Sequence, residues 1–257
     1  MRSLPLIAFL VGGVVFTAEV VRADDAASLL AALRSRLPRE PVVMTGTITV
    51  RKRHGIVVGQ LGIKMTLDWG QTPTTSKYTI LDAFGKPLEE LRITRDAAGA
   101  VGFEYQANFP LRPAPLPNLF APIQNSDVSW MDLALAFLWW EGGKVVGTDE
   151  VLGRPCHIVE IPAPPGLSAP PPRAAQSSAA PYAAVRLWID AEMLMLLKAE
   201  GLSQEDNVLR RLWVRSFKRI NDRWMIKDLE VQGCPSAHRT KITITDVSVG
   251  NESWTPS

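Results

Sequence analysis

The side chains best suited to chemistry are three histidines and two cysteines: His54, His157, His238, Cys156 and Cys234. None of the histidines falls in an H-E-x-x-H or comparable ligand spacing, and two cysteines are too few for a cysteine-held zinc. Cys156 and His157 are adjacent in a strand-like stretch, so their side chains point to opposite faces and do not pair with each other. A thiol–imidazole nucleophile would need a cross-strand pair, Cys156 with His238 or Cys234 with His157. Structural thiols and ordinary imidazoles are the simpler reading. No G-x-S-x-G elbow, phosphate-binding glycine loop or dinucleotide fingerprint occurs. Carboxylates are thinly spread: Asp127 and Asp132 flank an apolar run, and Glu89-Glu90 lie in a strand-like stretch. Asp127 reads as a helix cap rather than an acid catalyst. Arg51-Lys52-Arg53 reads as a solvated turn, and Arg210-Arg211 as strand neighbours whose side chains diverge. Nothing here organises a reaction. The expectation is a binding protein rather than an enzyme, with no metal and no cofactor.

The compartment is read from the first 23 residues. Arg2 supplies a positive start, Leu4 to Phe16 is almost wholly apolar, and Val21-Arg22-Ala23 fits a cleavage site before Asp24. That is the layout of a secretory signal peptide, and its core is too short to span a bilayer comfortably. No cysteine stands near the site for lipidation. The expected division is therefore a signal peptide over 1–23 and a single exported, unanchored domain over 24–257. Export to an oxidising space invites a disulfide between Cys156 and Cys234, although sequence does not place the two within bonding distance. Lys and Arg number 28 against 26 Asp and Glu; without Arg2, Arg22 and Glu19 the balance is 26 against 25. So even a charge gives no electrostatic reason to expect nucleic acid as a partner.

The elements that must position these residues follow from the hydrophobic period. Ala26, Leu29, Leu30, Leu33 and Leu37 make a helical stripe capped by Asp24-Asp25 and ended by Pro38 and Pro41. From Val42 the period becomes two, with strands expected over 42–50, 57–69, 78–83, 88–94 and 101–105 joined by tight turns. Five prolines between Pro110 and Pro122 then form an extended connection. A helix capped by Ser129 or Asp127 is expected over Trp130–Trp140, apolar on more than one side, so it must be sandwiched or cover a greasy cavity. The second half repeats the meander over 143–148, 151–161, 182–189, 193–200, 208–220, 223–232 and 241–249. A Pro/Ala/Ser-rich loop interrupts it from Pro162 to Pro181. So many strands exceed what one flat sheet holds, and curling toward a barrel is expected. In the 182–189 strand, Arg186 shares a face with Trp188, which favours Leu187 and Ile189 as the inner pair.

Several of these segments in order resemble the LolA-like family of outer membrane lipoprotein-sorting proteins. The resembling residues are Ser126-Asp127-Val128-Ser129-Trp130-Met131-Asp132-Leu133 at the entry to the second helix, and Gly153-Arg154-Pro155-Cys156-His157-Ile158-Val159. Tyr182 with Val185-Arg186-Leu187-Trp188-Ile189-Asp190, Arg215 to Ile220, the Trp224 hairpin and His238-Arg239-Thr240 continue the series. The resemblance implies a mainly β, curved antiparallel half-barrel with a helical lid over an apolar cavity, located in the periplasm. It implies a carrier for acyl chains of lipoproteins or lipids, with an inner-membrane exporter and an outer-membrane acceptor as partners. The alternative is an envelope sensor or interaction module of the same fold, recognising envelope proteins without transport. On either reading Trp130, Leu133, Phe137, Leu187 and Ile189 are the candidate ligand-binding residues of lid and cavity. Two departures stand out: no distinctive motif around Arg51 or Arg53 marks the family's lid-locking arginine, and the 162–181 loop is long.

Overall fold

The computed structural model describes residues 23–167, 180–220, 223–250 and 252–254. The expected signal peptide and its cleavage site therefore lie outside the described residues except for Ala23, as does most of the Pro-rich loop.

Helix α1 (Ala23–Ser35) buries the stripe of Ala26, Leu30 and Leu33. It is followed by β1 (Val42–Lys52), whose residues alternate between buried and half-buried as far as Val50, as a one-sided strand requires. Strands β2 (Val57–Asp68), β3 (Thr74–Leu81), β4 (Pro87–Arg95) and β5 (Val101–Ala107) continue an antiparallel meander, closed by the short β6 (Arg112–Pro113). The second meander runs through β7 (Lys144–Val151), β8 (Arg154–Pro162), β9 (Ala184–Asp190), β10 (Leu196–Leu202), β11 (Val208–Ile220), β12 (Arg223–Gly233) and β13 (His238–Val249). A last strand, β14 (Glu252–Trp254), pairs with β13.

All of these strands belong to one sheet, in the order β6-β5-β4-β3-β2-β1-β13-β12-β11-β10-β9-β8-β7. The two meanders are joined where β1 pairs with β13, from Val42 opposite Val249 to Lys52 opposite His238. Bulges interrupt this seam after Thr45, and β10 and β11 after Leu196 and Val214, and each bends its strand. The sheet curls but keeps two edges, which makes it a half-barrel rather than a closed one. Turns at 53–56, 82–86 and 108–111 sit at one end of it, here called the tip end. Those at 69–73 and 191–195 sit at the other.

Residues 117–140 cross the concave face as a strap that forms the lid. It is not the continuous helix expected over Trp130–Trp140. Helix α2 spans only Trp130–Leu133, Leu135 takes a left-handed conformation at φ 45°, and a 3-10 turn follows over Ala136–Trp139. A single helix would have turned part of this all-round apolar run toward water. The break lets both halves bury theirs, and Trp130, Met131, Leu133, Phe137 and Leu138 all join the main core. Packing overrides helix propensity here.

The Cys156–Cys234 disulfide does not form: both thiols are free, Cys156 buried in β8 and Cys234 just beyond β12. Strands β9, β10 and β11 stand between them. Four strand spacings amount to about 19 Å, against the roughly 7 Å limit for bridging Cα atoms.

Candidate functional site

Between the lid and the concave face lies an apolar cavity of about 170 Å³. Its floor is Met44, Met65, Leu67 and Ile244 from the strands around the seam, its roof Leu133, Leu135, Leu138 and Trp139 from the lid. Leu33 and Leu37 close one side. Toward the end away from the tips, Trp69, Leu194, Met195 and the half-exposed Trp224 form a mouth. Trp69 and Trp139 meet at 6.3 Å between ring centroids, and the Arg95 guanidinium lies 5.5 Å from the Trp139 ring. Flexible thioethers and wide rings suit a space whose contents vary in shape. An engineered cavity near 150 Å³ takes one benzene, whereas ligand pockets usually start at about 300 Å³. The space as it stands holds a ring or a short hydrocarbon segment, and a longer guest requires a wall to move.

The lid's two halves are held by different forces. Its first half is bound by buried polar groups. Ser129 caps α2 in a capping box with Asp132, each side chain bonding the other's backbone N–H. Asp132 accepts from Arg210 Nη1 at 2.8 Å and from the Tyr182 hydroxyl at 2.7 Å, and Arg210 also donates to Tyr182 and to the Phe120 carbonyl. Burial works against the Arg210 charge, but Asp132 and Tyr182 outweigh it and hold the guanidinium protonated more firmly than usual. Burial, with the Asp132 charge beside it, pushes the Tyr182 hydroxyl well above its ordinary range, so it stays a neutral donor. Gly201 makes room for this arrangement: a Cβ there would sit 2.4 Å from the Tyr182 ring.

Two further ties act on the same half. Asp127 accepts from Thr240 and Ser236 at 2.8 and 2.7 Å and gives its own N–H to Thr240. Gln124 donates to Glu89 at 2.7 Å, and Glu89 also accepts from Tyr105 at 2.6 Å. Asp127 is thus not the cap of α2; it fastens the strap to β13. Beyond Leu133 the lid is held by apolar contacts and by short turn bonds of its own backbone. Among the described residues one outside hydrogen bond reaches it, from Arg34 to the Leu138 carbonyl at 3.3 Å, beside the Arg95 guanidinium against the Trp139 ring.

Of the candidate residues named from sequence, Leu133 lines the cavity. Phe137, four positions on, is turned away by the break at Leu135 and packs edge-on against Trp140 at 6.4 Å. Trp130 packs edge-on against Tyr105. Leu187 and Ile189 are fully buried on the concave face, within the main core but outside the cavity wall. Trp188 faces the convex side in a separate small cluster with Cys156 and Leu197, covered by the Lys198 ammonium at 3.7 Å from its ring. The histidines and cysteines are not gathered into one site. Burial, with Asp190 next in effect, raises the Cys156 thiol, the reverse of what a nucleophile needs.

What sequence reasoning missed is the Arg210 lock and the Met and Trp wall. Arg210-Arg211 diverge as a strand dictates, but not both into solvent. Arg211 pairs with Glu200 on the convex side, and Arg210 points inward beside Leu212 and Val214. The signal was present in the period: Arg210 shares one face of its strand with Leu212 and Val214, while Arg211 and Arg215 lie on the other with Leu209 and Trp213.

Residues 117–253, just over half of the chain, match the model of a family described as uncharacterized protein. No curated protein matches the sequence. Among solved structures, a DUF1329 family protein from Desulfovibrio piger superposes with a TM-score of 0.71 at 15% identity, over 88% of this chain and 92% of that one. An outer membrane lipoprotein-sorting type of domain from Vibrio parahaemolyticus gives 0.71 at 11% identity, over 89% and 93%. A LolA superfamily protein from Nitrosomonas europaea gives 0.61 at 15% identity, over 87% and 93%. At these identities the likeness is one of fold, a curved half-barrel with a small helical lid.

Proposed function

This chain belongs to the family whose model spans its residues 117–253 and has the LolA-like fold, and from that premise we propose that it is a non-enzymatic carrier of acyl chains. On this reading it works in the periplasm after loss of a signal peptide, and moves the acyl groups of lipoproteins or lipids toward the outer membrane. An inner-membrane exporter would load it and an outer-membrane acceptor would relieve it. The observation that carries the proposal is the lidded cavity walled almost wholly by Met, Leu, Ile and Trp side chains.

The physical argument is short. Each methylene moved from water into such a space contributes about 0.8 kcal/mol, so even a few segments of a chain offset a modest displacement of the lid. The part that moves is Ala134–Trp140. It exchanges apolar contacts with the sheet for apolar contacts with the guest, and among the described residues its shift breaks one outside hydrogen bond, from Arg34 to the Leu138 carbonyl. Leu135, already left-handed, lies near the start of the moving part, and Gly142, at φ 75°, lies just beyond its end. The first half of the lid stays, because moving it would strip Arg210, Asp132 and Asp127 of their partners in an apolar surrounding. The same fold likeness to a lipoprotein-sorting type of domain supports cargo of this chemistry.

Native mass spectrometry of protein purified from its own envelope, with lipid extraction and identification, tests the proposal. Copurifying fatty-acyl species, displaced by added palmitate, is the expected result. Protein that is empty as isolated and fails to bind a fluorescent fatty acid would overturn it.

A further inference from the structure

Three hairpin turns of the first meander lie side by side at the tip end, because β2, β3, β4 and β5 are neighbours in the sheet. Each holds a large apolar side chain in water: Ile56 is 62% exposed, Phe84 88% and Phe109 65%, with the exposed Val57 and Val58 following Ile56 in the chain. The first two of these turns are firmly built. Lys52 N–H donates to the Ile56 carbonyl at 2.9 Å, and the Asp82 carboxylate accepts from the N–H groups of Phe84 and Lys86 at 2.8 Å each. Lys86 links two of the tips, its ammonium 5.6 Å from the Phe109 ring.

The flanks of these tips are cationic. Arg51, Lys52, Lys86, Arg112 and Arg239 are all exposed. Beside the first turn opens a polar groove of about 690 Å³ lined by Arg51, Lys52, His54, His238, Arg239 and Lys241. The acid in its lining, Glu230, is already paired with Arg215 at 2.8 Å and Arg239 at 2.7 Å. Apolar groups standing separately on projecting turns, with cations at their bases, match the layered chemistry of a lipid surface: hydrocarbon inside, phosphate outside. A protein partner would favour one continuous apolar face, which these separated tips do not make.

We propose that the tip end docks this protein on an anionic bilayer, with Ile56, Phe84 and Phe109 entering the acyl boundary and the groove receiving lipid phosphates. This surface lies at the opposite end from the cavity mouth and stands whether or not the cavity carries acyl chains.

The experiment is flotation of the protein with vesicles of phosphatidylcholine alone, and of phosphatidylcholine with phosphatidylglycerol in equal parts, at low and high salt. The expected result is binding to the anionic vesicles that weakens with salt. The Arg51→Gln/Lys52→Gln variant is expected to lose roughly thirty-fold in affinity, at about one basic residue's contribution each. The Ile56→Ser/Phe84→Ser/Phe109→Ser variant is expected to lose membrane binding with an unchanged melting temperature, since the three side chains support no core. Failure to float with anionic vesicles would overturn the proposal. So would undiminished binding by the serine variant, and if inorganic phosphate then abolished flotation of both proteins alike, the groove would be a phosphate site and not part of a bilayer surface. Capture of a protein partner through these tips without vesicle binding would overturn it equally.

Discussion

Both halves of the lid pack against the sheet, the first buried throughout 126–133 and the second half-buried at Leu135, Ala136 and Trp139, yet one is fixed by directional bonds and the other by contacts without direction. Around Asp127 and Asp132, hydrogen bonds from Arg210, Tyr182, Thr240 and Ser236 each specify a partner and a distance. Around Leu135, Leu138 and Trp139 the neighbours are methyls, thioethers and rings, any of which a hydrocarbon guest replaces at little cost. A buried charge without its partner is expensive, whereas a displaced apolar contact loses only what the next one restores. Anchorage and exchange are thus separated along one strap of chain, and this separation lets the protein open without coming apart.

The largest expected effect lies in the anchored half. Arg210→Ala leaves the Asp132 carboxylate buried without its cation, and is expected to cost about 3–5 kcal/mol in urea unfolding. A cost under about 1 kcal/mol would mean that the two halves are not held differently. Gly201→Ala attacks the same lock from behind, pressing on the Tyr182 ring, and about 1–3 kcal/mol of lost stability is expected. If the variant melts like the parent, the close approach at Gly201 is not what seats Tyr182.

In the exchanging half the order of effects reverses. Leu135→Glu places a charge in the cavity roof, where a guest's hydrocarbon would leave it unsolvated. Titration with a fluorescent fatty acid should show at least a tenfold loss of affinity, with unfolding free energy changed by less than about 1 kcal/mol. Parallel losses of stability and affinity would erase the distinction.

The smallest effect is one of pH. The folded Tyr182 hydroxyl titrates above its unfolded value of 10.0, so its contribution is complete below pH 10 and lost as pH rises beyond it. The unfolded chain then releases a proton that the folded one keeps, at about 1.4 kcal/mol per pH unit for one such group. Tyr182→Phe is therefore expected to flatten the alkaline fall in stability relative to the parent, measured between pH 10 and 11. An identical slope in both proteins would detach Tyr182 from the lock.

Much of the architecture was legible in the sequence because a period of two and tight turns are local signals. The strands on either side of Phe84-Gly85-Lys86-Pro87 and the β11–β12 hairpin fall where alternation places them. The half-barrel and its lid followed from strand number and from the resemblance around Ser126–Leu133. The lid's internal break was not legible, because it is decided by the surface beneath it and not by the run Trp130–Trp140 itself. The same blindness misjudged Phe137, which shares a face with Leu133 only if the helix continues. It also hid Arg210, whose partners Asp132 and Tyr182 are 78 and 28 residues away. The separation of Cys156 from Cys234 depends likewise on the order of strands in the sheet, which no local pattern encodes.

Hydrogen exchange of the backbone amides, with and without palmitate, tests the separation of the two halves most directly. The expected result is rapid exchange at 134–140 in the free protein, slowed by palmitate, with 126–132 protected in both states. Exchange of 126–132 and 134–140 at one common rate, or no response of 134–140 to palmitate, would contradict it.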